Sequence, residues 1–196
     1  MLSIAVLVSG SGTNLQALID AEKTGKIKNG KVTLVVSNKA DAYALTRAQN
    51  AGIQTTVIPS AGRRDAFERE LTDLLLQNSI DLIVLAGFMV ILSANFVKTF
   101  ENKIINVHPS LIPSFCGDGM YGLHVHRGAL DYGVKVTGAT VHFVSEITDG
   151  GRIIAQKAVE VQPNDTPETL QKRVMEQAEW EILPRAVSDF CEGKLN

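Results

Sequence analysis

Cysteine is scarce in this chain: among 196 residues there are two, Cys116 and Cys191, far apart and with no Cys-x-x-Cys pair. That argues against a disulfide framework and against a cysteine-based zinc site, and it fits a reducing cytoplasm as the place of action. Long apolar runs are missing too. Stretches such as Leu82 to Leu85 and Phe88 to Leu92 are far too short to span a bilayer. No basic segment precedes the apolar run near the start, so Met1 to Ser11 reads as a first strand rather than a signal peptide. Charge of one sign is not in excess either. Nineteen basic and twenty-one acidic residues give a net charge of −2, so no basic field points to nucleic acid or an anionic membrane. No repeat, low-complexity tract or linker divides the chain. What remains is an ordinary globular composition, 45% hydrophobic and 20% charged, read as one domain over residues 1–196 with a substantial core.

The order of apolar segments sets the fold class. Ser3 to Val8, Val32 to Val36, Ile53 to Ile58, Ile80 to Leu85 and Lys103 to His108 read as buried strands. Between them lie helical patterns, clearest where Phe67, Leu71, Leu74 and Leu75 form one stripe with charged residues opposite. Alternating strands and helices predict a parallel sheet covered on both faces. Beyond a Gly-rich loop (Gly117, Gly119, Gly122) the pattern changes. A short helix near His126 to Tyr132 is followed by strands over Val136 to Val144 and Arg152 to Val161, spaced as an antiparallel pair. Thr166-Pro167-Glu168 reads as a helix start, and Pro184 is expected to kink the last helix. The expectation is a three-layer, Rossmann-like α/β fold, mostly parallel, with an antiparallel part in its C-terminal half.

Two loops could hold ligands. Ser9-Gly10-Ser11-Gly12-Thr13-Asn14 joins the first strand to a helix, and it fits one phosphate held by the N–H groups of Gly12, Thr13 and Asn14 and the Thr13 hydroxyl. A tight turn with no ligand stays open as the other reading. Dinucleotide binding is disfavoured, because Leu15 stands where a third glycine belongs and Val36-Ser37-Asn38 has no acid for a ribose hydroxyl. No lysine follows in Walker position. Gly87-Phe88-Met89-Val90-Ile91-Leu92, just past a strand, is very apolar for a loop; it could pave a pocket for a flat ring or pack as core. Arg63-Arg64 could hold an anionic tail or simply be solvated.

The chemistry is sought at Asn106-Val107-His108-Pro109. Alternation puts Asn106 and His108 on one face, and Pro109 ends the strand, leaving His108 at its carboxyl end, where open α/β sheets bind ligands. Taken alone, the two residues also fit a strand-ending Asn and a core His. Asp149, in Thr148-Asp149-Gly150-Gly151, could complete a set of amide donor, imidazole and orienting carboxylate, or could only form a turn. No serine or cysteine stands out as a nucleophile. His124 and His126, with His108 and His142, form too weak a pattern for a metal site, and none is expected.

Together these segments resemble the phosphoribosylglycinamide formyltransferase family, folate-dependent enzymes of de novo purine synthesis. The resemblance rests on Ser9-Gly-Ser-Gly-Thr-Asn-Leu15, Ser37-Asn-Lys-Ala-Asp41, Leu85-Ala-Gly-Phe-Met89, Ile105-Asn-Val-His-Pro-Ser-Leu-Ile-Pro113, Val141-His-Phe-Val144 and Asp149-Gly-Gly151, and covers essentially the whole chain. It implies transfer of a formyl group from the co-substrate 10-formyltetrahydrofolate to the amine of 5′-phosphoribosylglycinamide, with no metal, by a monomer or homodimer. By the same resemblance Asn106, His108 and Asp149 match the catalytic triad, and Gly12, Thr13, Asn14 and Glu179 the substrate contacts. Arg64, Met89, Val90, Ile91, Leu92 and Asn106 match the folate contacts. Three departures stand out: Val90 where many members carry Arg, Trp180 where many carry His, and about five extra residues between Pro113 and His124. The rivals are a formyltetrahydrofolate deformylase and a methionyl-tRNA formyltransferase, for whose usual additional domains no residues remain, and a non-catalytic sugar-phosphate module.

Overall fold

The computed structural model describes residues 1–195. Seven strands form one sheet: β1 (Leu2–Val8), β2 (Gly30–Ser37), β3 (Gln54–Val57), β4 (Leu82–Leu85), β5 (Ile104–His108), β6 (Val136–Phe143) and β7 (Ile153–Glu160). Their order is β3-β2-β1-β4-β5-β6-β7. The first five run parallel; β6 pairs antiparallel with β5, and β7 antiparallel with β6. The expected mixed sheet is thus observed, with each strand within a residue or two of its predicted span.

Strand β1 shows why the parallel half reads as unbroken apolar sequence. Ile4, Val6 and Val8 enter one core, while Ala5 and Leu7 enter the other. A strand buried on both faces has no polar side to display. The first core is closed by α1 (Thr13–Lys23), α2 (Tyr43–Asn50), α5 (Leu123–Tyr132), α6 (Pro167–Val174) and α7 (Trp180–Cys191). The second is closed by α3 (Arg64–Gln77), through Phe67, Leu71 and Leu75, and by α4 (Ala94–Thr99). Helix α4 was not expected from the sequence. It is six residues long, too short to show a periodicity, and its start is fixed by Ser93, whose side chain accepts from the Phe96 N–H.

The C-terminal helical stretch differs from its reading. Its start is as expected: Thr166 caps α6 and pairs reciprocally with Thr169. The irregularity, however, lies not at Pro184 but at a π turn over Met175–Glu179, between α6 and α7. Pro184 sits inside α7 and is buried. The carbonyl that a proline at 184 cannot serve belongs to Trp180, where the wide turn gives way to α-helix. No helix among the described residues is long and apolar enough to cross a membrane.

Candidate active site

The helices change sides of the sheet between β1 and β4, and loops from both strands meet at their carboxyl ends, where such sheets take ligands. On the β1 side, Gly12 caps α1 at φ 72°, and a Cβ there would lie 2.6 Å from that of Ala44. Only glycine satisfies both constraints. The loop is braced from α2, where the Ala44 N–H donates to the Gly10 carbonyl (3.1 Å) and Arg47 Nε to the Ser11 carbonyl (2.9 Å). No side chain caps α1, so its first N–H groups face outward beyond Gly12. The Thr13 hydroxyl lies 3.7 Å from Met175 Sδ, and Asn14 Nδ2 donates to Glu179 Oε2 at 2.6 Å.

Glu179 is the most unusual carboxyl of this region. It is buried at the end of the π turn, and burial pushes its pKa up to about 7, with the Asn14 bond acting in the opposite direction. Asn14 Oδ1 and Trp180 Nε1 are also buried and have no hydrogen-bond partner. A cavity of about 640 Å³ between α1 and α7 reaches this region only at its edge, through Thr13 and Trp180.

On the other side, Asn106 and His108 share one face of β5 and stand in register with His142 and Thr140 of β6. His142 Nδ1 donates to the Phe143 carbonyl (2.9 Å), since a carbonyl can only accept. Burial lowers the pKa of this imidazole, so it is neutral and its Nε2 is an acceptor for Asn106 Nδ2 at 3.2 Å. That bond fixes which way the Asn106 amide points. Asp149 adopts φ 54° in its turn, which Asp tolerates better than most residues. The following Gly151 packs so tightly that a Cβ would lie 1.7 Å from the Phe143 carbonyl. Asp149 Oδ2 lies 3.6 Å from His108 Nδ1, and Oδ1 3.7 Å from His142 Nε2, just outside hydrogen-bond range.

The long loop after Pro113 folds onto this group. His108 Nε2 donates to the Phe115 carbonyl (2.9 Å), and the Gly117 N–H donates to Asp149 Oδ2 (2.9 Å). These loop contacts, and His142 as the partner of Asn106, escaped the sequence reading. Two are made by backbone groups, which leave no mark on residue type; the signal for His142 was the Val141-His-Phe-Val144 segment opposite β5. The other two histidines do not join the group: His124 is exposed and packs on Tyr121, while His126 is buried with both nitrogens unpartnered and a pKa lowered to about 4 by burial and by His108. Among the described residues, no group of three or more His, Cys, Asp and Glu side chains is arranged to hold a metal ion.

Of the remaining predicted residues, Met89 and Ile91 are exposed in the turn after β4, while Val90 and Leu92 pack on the second core. The turn thus packs in part on the core, the second of its two readings, and leaves Met89 and Ile91 exposed. Phe88 stacks on Phe67, with ring centroids 6.2 Å apart. Arg64 opens α3, mostly exposed, 3.7 Å from Glu68; Arg63 pairs with Glu70.

A formyl transferase family model matches residues 2–187. The chain is 47% identical over 196 residues to the phosphoribosylglycinamide formyltransferase of Escherichia coli (strain K12), covering 99% of this chain and 89% of that one. It is 45% identical over 192 residues to the trifunctional purine biosynthetic protein adenosine-3 of Homo sapiens, covering 97% of this chain and 18% of that protein. The crystal structure of glycinamide ribonucleotide transformylase 1 from Symbiobacterium toebii matches with a TM-score of 0.91 at 44% identity, over 98% of this chain and 89% of that one. The chain belongs to the formyl transferase family.

Proposed function

We propose that this protein transfers the formyl group of 10-formyltetrahydrofolate to the amine of 5′-phosphoribosylglycinamide, as a single cytoplasmic domain acting as a monomer or homodimer. The observation that carries this reading is the grouping of Asn106, His108 and Asp149 around His142 at the carboxyl end of β5, the same end of the sheet from which the loop ending in Gly12-Thr13-Asn14 and the apolar turn after β4 extend. The names of the relatives support the choice of substrates. In the proposed arrangement the N–H groups of Gly12, Thr13 and Asn14 take the substrate phosphate, with Glu179 nearby for its glycinamide arm. Arg64 and Met89 to Leu92 line the folate side, where Val90 contributes backbone and apolar surface instead of a guanidinium.

The reaction is direct. The amine attacks the formyl carbon, a C–N bond forms, and the carbonyl electrons move to an oxyanion. Asn106 offers the N–H not committed to His142, and His108 offers its Nε2 hydrogen. For that, Nε2 must leave the Phe115 carbonyl, so the 114–122 loop yields when substrate binds. Collapse of the oxyanion breaks the bond to the folate nitrogen, which takes up the proton that the attacking amine loses; Asp149 holds His108 in place and passes that proton on.

Removing one oxyanion donor costs about 10²–10³ in rate. Asn106→Ala and His108→Ala are therefore expected to lower kcat on that scale while circular dichroism and Tm stay near the parent's. Near-parental turnover in either variant overturns the assignment. The same assay run with 10-formyltetrahydrofolate alone separates the rival hydrolase: folate turnover without the amine would replace the transfer reading.

A further inference from the structure

Three side chains outside the proposed catalytic group form a continuous hydrogen-bonded row across the strand ends. The Met89 N–H donates to Ser9 Oγ (2.9 Å), Ser9 Oγ–H donates to Asn38 Oδ1 (2.7 Å), and Asn38 Nδ2 donates to Ser60 Oγ (3.1 Å). The Ser60 carbonyl in turn accepts from the N–H of Arg63, the residue that precedes α3 and Arg64. Ser60, Asn38, Ser9 and Met89 follow β3, β2, β1 and β4, which are neighbours in that order in the sheet. Ser9 is 5% exposed. Its single hydroxyl hydrogen is committed to Asn38, so its oxygen is free to accept from Met89, and the Asn38 amide orientation follows from its two partners. The row has one direction, and no member can turn without stranding another.

We propose that Ser9 is a positioning residue for the formyl-donor side of the site, acting through Asn38 and Met89 to hold the 87–92 turn and the start of α3 at a fixed separation. This rests on the reading of that turn and Arg64 as the donor's binding surface. Beneath the turn Phe88, Val90 and Leu92 pack on the core, and at its far end the N–H and hydroxyl of Ser93 donate to Glu68 of α3. Met89 and Ile91 are exposed, so at Met89 itself the backbone is held by the Ser9 bond. The phosphate loop that continues from Ser9 does not depend on the row, because Ala44 and Arg47 brace Gly10 and Ser11 separately. Loss of the Ser9 hydroxyl is thus selective. It strands the Met89 N–H and loosens one substrate's surface while leaving the other's.

The test uses Ser9→Ala, Asn38→Ala and the double variant, with separate titrations of the two substrates and with amide exchange at Met89. The expected result for each single variant is a rise of about fivefold in KM for 10-formyltetrahydrofolate, the scale of one neutral hydrogen bond. KM for phosphoribosylglycinamide and kcat should stay within about twofold of the parent. The double variant should be little worse than either single one, because both break the same row. Met89 exchange should speed up in all three. Unchanged donor KM and unchanged Met89 exchange in Ser9→Ala and Asn38→Ala overturn the proposal, as does an equal rise in both KM values accompanying a lower Tm. If the parent protein does not turn over this substrate pair, the functional reading falls, and Met89 exchange alone then decides whether the row positions the turn.

Discussion

Glu179 links ionisation to folding. Its carboxyl titrates near the ordinary 4.5 in an unfolded chain and near 7 in the folded one. Between those values the folded state keeps a proton that the unfolded state has lost, so stability falls as pH rises through that window, by up to ~3 kcal/mol. Gln at this position keeps the acceptor for Asn14 Nδ2 and adds an N–H, a donor of the kind the unpartnered Asn14 Oδ1 needs. Glu179→Gln is expected to flatten the dependence of Tm on pH between about 5 and 7 and to raise Tm at about pH 8; calorimetry at a series of pH values checks it, and an unaltered slope would refute the buried-acid account. Residues of this kind were only partly readable in the sequence. Asn106 and His108 showed themselves through a period of two and a following proline. Glu179 was found by resemblance alone, since burial and the π turn that cause its shift belong to the folded chain. His142 looked like a stray metal ligand until the β5–β6 register set it opposite Asn106.

At the level of elements, α6 shows how much a start signal can depend on one residue before the helix. Asp165 accepts from the Gln162 N–H, from Thr169 Oγ1 and from both terminal nitrogens of Arg173. The Arg173 guanidinium is the main reason its carboxyl sits well below the usual carboxylate range. A depressed pKa stabilises the fold above the ordinary value, and the contribution is lost as pH falls below it. Asp165→Ala is expected to cost about 1–3 kcal/mol at neutral pH, read as a lower denaturant midpoint with unchanged m, and the deficit should shrink in acid. Thr166-Pro167 announced this helix plainly. The break after Val174 was silent, because a π turn alters spacing by a single residue and the apolar positions around it still look helical. Proline drew attention to the wrong turn for the same reason: residue type marks where a helix tolerates strain, not where it widens.

Across the whole molecule, the sheet divides the work of the site. Its parallel half supplies the loop ending in Gly12-Thr13-Asn14 and the turn after β4; its antiparallel half supplies Asp149 and the partner of Asn106. The class of fold was legible because burial on both faces writes continuous apolar strands. The order of strands was not, because it depends on where crossovers turn back, and no single segment records that. The edges differ from the centre in a measurable way. β1 has Ile4 through Val8 fully buried between two helical layers, whereas every residue of β3 is partly exposed. Amide exchange under native conditions should therefore be slowest in β1 and β4 and faster by orders of magnitude in β3, with β7 also fast; equal protection across the sheet would contradict a core concentrated at its centre.

The π turn over Met175–Glu179 amounts to one residue added to a continuous α-helix, with the stretches on either side left in place. Taking one residue back out, at exposed Gln177 for example, would let α6 and α7 run together with both apolar faces still on the sheet. The side chain that would lose its place is Glu179, carried away from Asn14. In this protein the length of one helix, counted to a single residue, separates the packing that holds the chain together from the placing of one buried carboxyl beside Asn14.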